Sequence, residues 1–300
     1  MQVIIEGVAA HPSQIVLSES LFDYTTTLEF SLEYPAAFAS CTLQMTHEFE
    51  YVPVLVRQST AQTFTYLCYP KGDVDFLQGL SAPINMTGDL SALLDMLSMC
   101  RHQVVGTTQS QKWVLASMRG KTIMDKISKE VRFVNGGCPT AHFDISGTLI
   151  CLDVLDRCVG EAVGTVSGTL VEGLSSATSM NQLPGKVRFH FFDDNTYSTK
   201  TDEYVTKAGI SNMYKFVVSD DRKSQVEARL QAQYWRRYVS SSVETYTKLM
   251  TAVLTPGQKV KMMGTEREYV CISVRTEASA HGAEVTGVLL PSIAPTQKLG

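Results

Sequence analysis

From residue 2 to about residue 70 the apolar positions recur with a period of two. Between Thr25 and Leu32 the pattern is regular: Thr25, Thr27, Glu29 and Ser31 share one face, and Thr26, Leu28, Phe30 and Leu32 share the other. Such alternation is the mark of a strand with one face buried. Further apolar runs lie at Val3–Val8, Ser13–Val16, Ala39–Met45, Tyr51–Gln58 and Thr63–Tyr69, with breakers such as His11-Pro12 and Tyr34-Pro35 between them. Short strands at intervals of roughly 10 to 12 residues predict a small β-barrel or sandwich. Pro70-Lys71-Gly72-Asp73 ends this unit.

The period then changes. Leu90, Leu93, Leu94, Leu97 and their neighbours form a helical stripe behind Thr87-Gly88-Asp89, with Thr87 or Asp89 as its cap. Lys112–Ala116 is a short strand. Gly120-Lys121-Thr122 leads into a second helix with Ile123, Ile127 and Val131 on one face, and Asn135-Gly136-Gly137 stops it. Ala141–Asp144, the tight turn at Ser146-Gly147, and Thr148–Val154 read as a hairpin.

Gly160–Gly173 is rich in small polar residues and reads as a connector or β-ribbon. Val187–Phe192 and Tyr214–Val218 are predicted strands. Ser219-Asp220-Asp221 then opens a helix over about 220–239, in which Val226, Leu230, Tyr234 and Tyr238 fall four apart. The two acids sit where the helix dipole favours them, and Arg236 and Arg237 lie near the opposite end. After Ser240 the period returns to two: Val243, Thr245, Thr247, Leu249, Thr251 and Val253 alternate with Glu244, Tyr246, Lys248 and Met250. A Pro256-Gly257 turn and strands at Gln258–Met262, Tyr269–Thr276 and Glu284–Leu290 close the set.

Composition narrows the class. The chain has 300 residues, 44% hydrophobic and 19% charged, as in a folded globular protein. Its 26 Lys and Arg against 30 Asp and Glu give a net charge of −4, with no global attraction for nucleic acid or an anionic membrane. No apolar run approaches the length of a membrane span, so direct membrane insertion is not expected. The start, Met1-Gln2-Val3-Ile4-Ile5-Glu6, lacks the pattern of a secretory signal, and folding in a cytoplasm is expected. Seven cysteines, an odd number with no Cys-x-x-Cys, read as reduced core residues.

Candidate chemistry is sparse. Gly120-Lys121-Thr122 invites a phosphate loop, but the glycine that such a loop needs five residues earlier is Leu115, so the plainer reading is a helix start. Asp193-Asp194-Asn195 with Asp202 and Glu203 lacks calcium-loop spacing and reads as a solvated turn. His142 with Asp144, and His190 near Asp193, could be acid–base couples, yet neither has a nucleophile at defined spacing. No carboxylate pair points to a glycoside hydrolase. Lys186, Arg188, Arg229, Arg236, Arg237, Lys259, Lys261 and Arg267 read as a solvated face or as a subunit interface. No catalytic, cofactor-binding or metal-binding residue is assigned, and no cofactor is expected.

The final segment carries a resemblance. Ala228, Arg229, Ala232 and Arg236, then Pro256-Gly257, Val260, Tyr269-Val270 and Val274, follow an order of Ala/Arg-rich helix, strand, Pro-Gly turn, "valine, basic, apolar" strand and Tyr-Val strand. The chain resembles baseplate or tail-tip hub proteins of long-tailed phages and the hub part of VgrG-type spike proteins. The middle stretch adds Trp113-Val114-Leu115, the helix from Thr122 to Val131, and His142-Phe143-Asp144-Ile145-Ser146-Gly147-Thr148-Leu149-Ile150 as the hairpin. Two departures stand out: the last Tyr-Val spacing is one residue longer than in that family, and residues 1–300 contain no β-helical repeat, so a hub without its own needle is expected.

The resemblance implies a β-rich α+β fold: two small β-barrel, tail-tube-like domains flanking a helix-hairpin domain. The expected divisions are 1–75, 76–155 and 156–300. It implies a structural virion protein, not an enzyme, located in the tail baseplate and made in the host cytoplasm. A homotrimer with six barrels would match a threefold spike or tip to a sixfold tail tube and line part of the DNA-conducting lumen. Implied partners are further copies of itself, tail tube protein, a spike or tail-tip protein and a tape-measure protein, with non-specific contact to passing DNA. The alternatives are another tail adaptor, such as a tube initiator or distal tail ring, and a soluble enzyme with an unrecognised site.

Overall fold

The computed structural model describes residues 1–134, 136–162, 164–166, 171–176, 186–192, 199–205, 213–219, 244–249, 254–262, 268–280 and 282–292. The helix expected over about 220–239 lies outside these residues, as do Asp193-Asp194-Asn195, Arg229, Arg236, Arg237 and Arg267.

The first seven strands are β1 (Gln2–Ile5), β2 (Val8–Ala9), β3 (Gln14–Ser20), β4 (Thr27–Leu32), β5 (Cys41–Gln44), β6 (Glu48–Gln58) and β7 (Phe64–Pro70). Their inward residues make one apolar core, with Val3, Leu17, Leu28, Phe30, Leu32, Leu43 and Tyr66 all buried. In β4 the alternation reads straight through: Leu28, Phe30 and Leu32 are buried and Glu29 is exposed.

A helical unit follows: α1 (Lys71–Gln78), β8 (Ile84–Gly88), α2 (Leu90–Leu97), β9 (His102–Val105), β10 (Gln111–Leu115), α3 (Gly120–Glu130), β11 (Pro139–Phe143), β12 (Leu149–Asp153) and α4 (Val154–Val159). Asp89 caps α2 by accepting the Ala92 N–H at 2.9 Å. β11 pairs antiparallel with β12, which pairs parallel with β9. The helices and these strands share a core around Phe76, Leu90, Trp113, Ile123, Ile127 and Phe143.

Two elements here differ from the sequence reading. Pro70-Lys71-Gly72-Asp73 is more than the end of the strand unit: β7 stops at Pro70 and α1, a helix not expected there, begins at Lys71 with Asp73 and Phe76 buried. The strand expected to run through Val154 stops at Asp153, whose carboxylate accepts the Leu155 and Asp156 N–H groups and so starts α4.

The remaining strands are β13 (Gly164–Val166), β14 (Val171–Ser176), β15 (Lys186–Phe192), β16 (Thr199–Val205), β17 (Met213–Ser219), β18 (Glu244–Leu249), β19 (Lys259–Met262), β20 (Glu268–Ser279) and β21 (Gly282–Pro291). The stretch read as a connector or β-ribbon, Gly160–Gly173, contributes β13 and the start of β14. β15 lies between β16 and β17 in a separate three-stranded sheet.

The first and last parts of the chain form one sheet. Thirteen strands join in the order β14-β18-β21-β20-β3-β4-β7-β6-β5-β1-β2, with β19 on β20 and β13 on β19. The seam is β3 against β20, antiparallel from Ser20–Ser273 to Gln14–Ser279. One edge of β20 is divided: Glu268–Val270 pair with β19, and Ser273–Ser279 pair with β3. Among the described residues this path is open, with ends at β2 and β14, and it does not close into separate barrels.

Candidate assembly surfaces and the junctions behind them

β6 has two unlike halves. β5 covers it from Glu48 to Tyr51. Beyond Tyr51, among the described residues, only β7 pairs with it, reaching Gln58 against Phe64. Val54, Leu55, Val56, Arg57 and Gln58 are all exposed, on both faces of the strand. A strand with a free edge and consecutive apolar residues is a template for pairing with another chain. Elsewhere the open sheet ends at β14 and at the two-residue β2.

Two junctions hold the helical unit against this sheet. At the first, Lys259 on β19 is buried to 5% exposure. Its Nζ donates to the Cys158 carbonyl at 2.9 Å and the Gly160 carbonyl at 2.7 Å, and pairs with Glu268 at 2.7 Å. Ser292 Oγ also donates to the Cys158 carbonyl, and Arg157 Nε donates to the Gly257 carbonyl. The Pro256-Gly257 turn brings Gly257, at φ +82°, against Leu152. Apolar Leu21, Cys138, Leu152, Leu155, Val270, Ile272 and Leu290 fill the space beneath.

The second junction is acidic. The β3–β4 connection docks on β11: the Phe143 N–H donates to the Tyr24 carbonyl at 3.0 Å, and Thr26 Oγ1 donates to the Phe143 carbonyl at 3.1 Å. Around this contact lie Glu19 of β3, Asp73 of α1 and Asp144 of the β11–β12 turn. Asp73 is fully buried; Thr25 Oγ1 donates to its Oδ2, and Oδ1 has no partner. Burial pushes Glu19 from 4.5 up to about 7, against the Ile145 N–H that favours its charged form, with Asp144 adding to the rise. Burial likewise pushes Asp73 from 3.8 to about 7, opposed by the Thr25 hydroxyl. The Tyr51 hydroxyl is buried without a partner, and burial beside Glu19 and Asp73 raises its pKa.

The residues singled out from sequence fall as follows. His142 and Asp144 are neighbours, but His142 sits in the core at 3% exposure. Burial lowers its pKa to about 4 although Asp144 pulls the other way, so the imidazole is neutral at pH 7. Asp144 Oδ1 accepts the Ser146 N–H, Ser146 Oγ and Thr148 N–H at 2.8, 2.6 and 2.9 Å, which is the work of a turn residue. His190 lies on β15 opposite Thr201 and Val217; Asp202 and Glu203 lie on β16 opposite Phe189 and Arg188.

Gly120-Lys121-Thr122 starts α3, where a Cβ on Gly120 would meet the Phe76 carbonyl at 2.2 Å. Lys121 lies over the Tyr24 ring at 5.5 Å. That glycine serves helix packing, and the lysine a cation–π contact. Lys259 leaves the basic face for the interior. All seven cysteines are free thiols, six of them buried. Among the described residues no group of three or more His, Cys, Asp or Glu could hold a metal ion. Among them, too, no helix is long and apolar enough to cross a membrane.

Glu19, Asp73 and Tyr51 carry no signal in the sequence, where each looks like an ordinary strand or turn residue. Only the Asp-x-Ser-Gly turn at Asp144 was visible.

No family model matches this chain, and no curated protein matches it in sequence. The fold is shared with solved structures. The tail protein from Neisseria meningitidis MC58 aligns over 96% of this chain and 95% of its own, with a TM-score of 0.67 and 12% identity. The prophage MuSo2 43 kDa tail protein from Shewanella oneidensis aligns over 98% of both chains, again at 0.67 and 12%. An Escherichia coli type VI secretion component, described as similar to T4 bacteriophage tail proteins gp27 and gp5, aligns over 98% of this chain and 78% of its own at 0.55 and 10%. The expected resemblance to tail hub and VgrG-related proteins is therefore present in the fold.

Proposed function

We propose that this chain is a structural protein of a phage-type tail, placed in the baseplate or tail tip as its hub. The observation that carries this is the full-length agreement of fold with two tail proteins, both chains covered over at least 95%. The free, apolar second half of β6 supports it, since a protein built into a larger assembly needs an edge to offer.

In this reading residues 1–75 and 156–300 are the two tube-like units, and 76–155 is the α+β unit between them. Three copies present six such units, matching a threefold spike or tip on one side to a sixfold tail tube on the other. Tail tube, spike or tip, and tape-measure proteins are its neighbours, and DNA passes the lumen without sequence readout. It has no catalytic role, and it resides in the virion. A tube initiator or distal tail ring remains the alternative assignment within a tail.

The test is the mass of the purified chain by light scattering over a range of concentrations, followed by mixing with tail-tube and spike proteins. A mass of three chains and ring-shaped particles by negative stain are expected. Leu55→Asp on the free β6 edge is expected to keep the circular dichroism of the parent and to lose self-association. A monomer at every concentration that also binds neither tube nor spike protein rules the hub out.

A further inference from the structure

Glu19, Asp73 and Asp144 come from three separate elements and converge where the helical unit meets the sheet. Among the described residues none of the three is in an ion pair. The groups facing Glu19 are Asp144 and the Ile145 N–H from the turn, Tyr51 from β6 and Cys271 from β20. Those facing Asp73 are Thr25, Asp144, Tyr51, and Cys100 from the segment after α2. Cys41 and Cys68 flank Tyr51, and neutral His142 faces Asp144. Among the described residues none of these facing groups is a cation at neutral pH.

Two buried polar atoms in this cluster, Asp73 Oδ1 and the Tyr51 hydroxyl, have no partner. The turn reaches the same spot: a Cβ on Gly147 would lie in ordinary contact, 3.6 Å from Asp73 Oδ1. Three carboxylates so placed cannot all ionise without mutual repulsion or loss of hydration.

We propose that Glu19, Asp73 and Asp144 form a proton-operated latch between the sheet and the helical unit, closed while Glu19 and Asp73 hold protons and loosened when they ionise. Asp144 Oδ1 is taken up by three donors in its own turn, the Ser146 and Thr148 N–H groups and Ser146 Oγ. A neutral Asp73 has a proton to donate and tolerates the interior; an ionised Asp73 has one hydroxyl donor, Thr25, for two oxygens. The sign follows. Both groups bind protons more tightly in the folded chain than in the unfolded one. Their stabilisation is full below about pH 4 and is lost as pH rises through about 7. The elements freed are those that touch the cluster: residues 21–26, the start of α1 and the β11–β12 turn. The latch does not depend on the assembly role proposed above.

Hydrogen exchange by mass spectrometry on the full chain tests this, at about pH 5.5 and about pH 8.5 with rates corrected for intrinsic exchange. Peptides spanning 19–26, 71–78 and 139–149 are expected to exchange about tenfold faster at the higher pH, while those of α2 do not change. In the Glu19→Gln, Asp73→Asn double variant that difference is expected to vanish. Equal protection at both pH values in the parent, or an unchanged difference in the variant, overturns the latch. Should the variant not fold, carbon-13 titration of the parent's side-chain carboxyls decides. Glu19 and Asp73 titrating near pH 7 support the latch; both titrating near pH 4 overturn it.

Discussion

The helical unit meets the sheet twice, and the two junctions solve the same problem with opposite charges. At the Lys259 junction a buried cation is surrounded by two carbonyls and a carboxylate, so its donors are used and the contact is closed. At the Glu19–Asp73–Asp144 junction a buried Asp73 faces the half-buried Glu19 and Asp144, and two polar atoms stay unpartnered. The first lies at the C-terminal end of α4, where carbonyls are free to accept. The second lies at the start of α1, where the helix favours a carboxylate and Lys71 pairs instead with Glu50, at 3.6 Å. A satisfied buried ion fixes geometry, whereas an unsatisfied cluster leaves geometry dependent on protonation. One junction is therefore a fixed anchor and the other a conditional one.

Breaking the anchor should have the largest effect. Lys259→Met keeps the apolar stem and removes the three bonds of the ammonium. The half-buried Gly160 carbonyl loses this donor, while the Cys158 carbonyl keeps Ser292 Oγ. Glu268, at 39% exposure, can return to water, so the loss comes chiefly from the carbonyls. A cost of about 3 kcal/mol is expected in denaturant unfolding. Gly257→Ala strikes the same anchor from the turn: a Cβ there meets Leu152 Cδ2 at 2.5 Å, and the backbone is at φ +82°. Strain and overpacking together should cost about 2 kcal/mol. A value near zero for either variant would mean that the helical unit is held by its apolar contacts alone.

The two junctions were unequally visible in the sequence. The strands could be read because alternation is local: β4 shows its buried face in six residues, and the Pro256-Gly257 turn announced the strands around it. Asp89 as the cap of α2 was equally local. Helix α1 was missed because Pro70-Lys71-Gly72-Asp73 has turn chemistry, and only burial of Asp73 and Phe76 makes it helical. Helix α4 was missed because it follows a strand without a break and depends on Asp153 as its cap. The β3–β20 seam joins residues more than 250 positions apart, and no local pattern encodes such a pairing. For the same reason Lys259 looked like one of several surface cations and Glu19 like a solvated acid. His142 and Asp144 were singled out and are neighbours, but the histidine's surroundings make it a core residue.

The smallest expected effect sharpens the comparison most. Thr25→Val removes the one hydroxyl that donates to Asp73 and nearly conserves volume. If Asp73 is neutral below its raised pKa, it has its own proton to place, and the loss should be about 1 kcal/mol near pH 5.5. Above about pH 7 the ionised carboxylate loses its side-chain donor, and the cost should grow to about 2 kcal/mol. Chemical denaturation of parent and variant at both pH values measures the difference directly. A cost that is the same at both would mean that Thr25 matters for packing alone. A cost that rises with pH would mean that the acidic junction, unlike the Lys259 anchor, is held by whichever donor the proton supply leaves it.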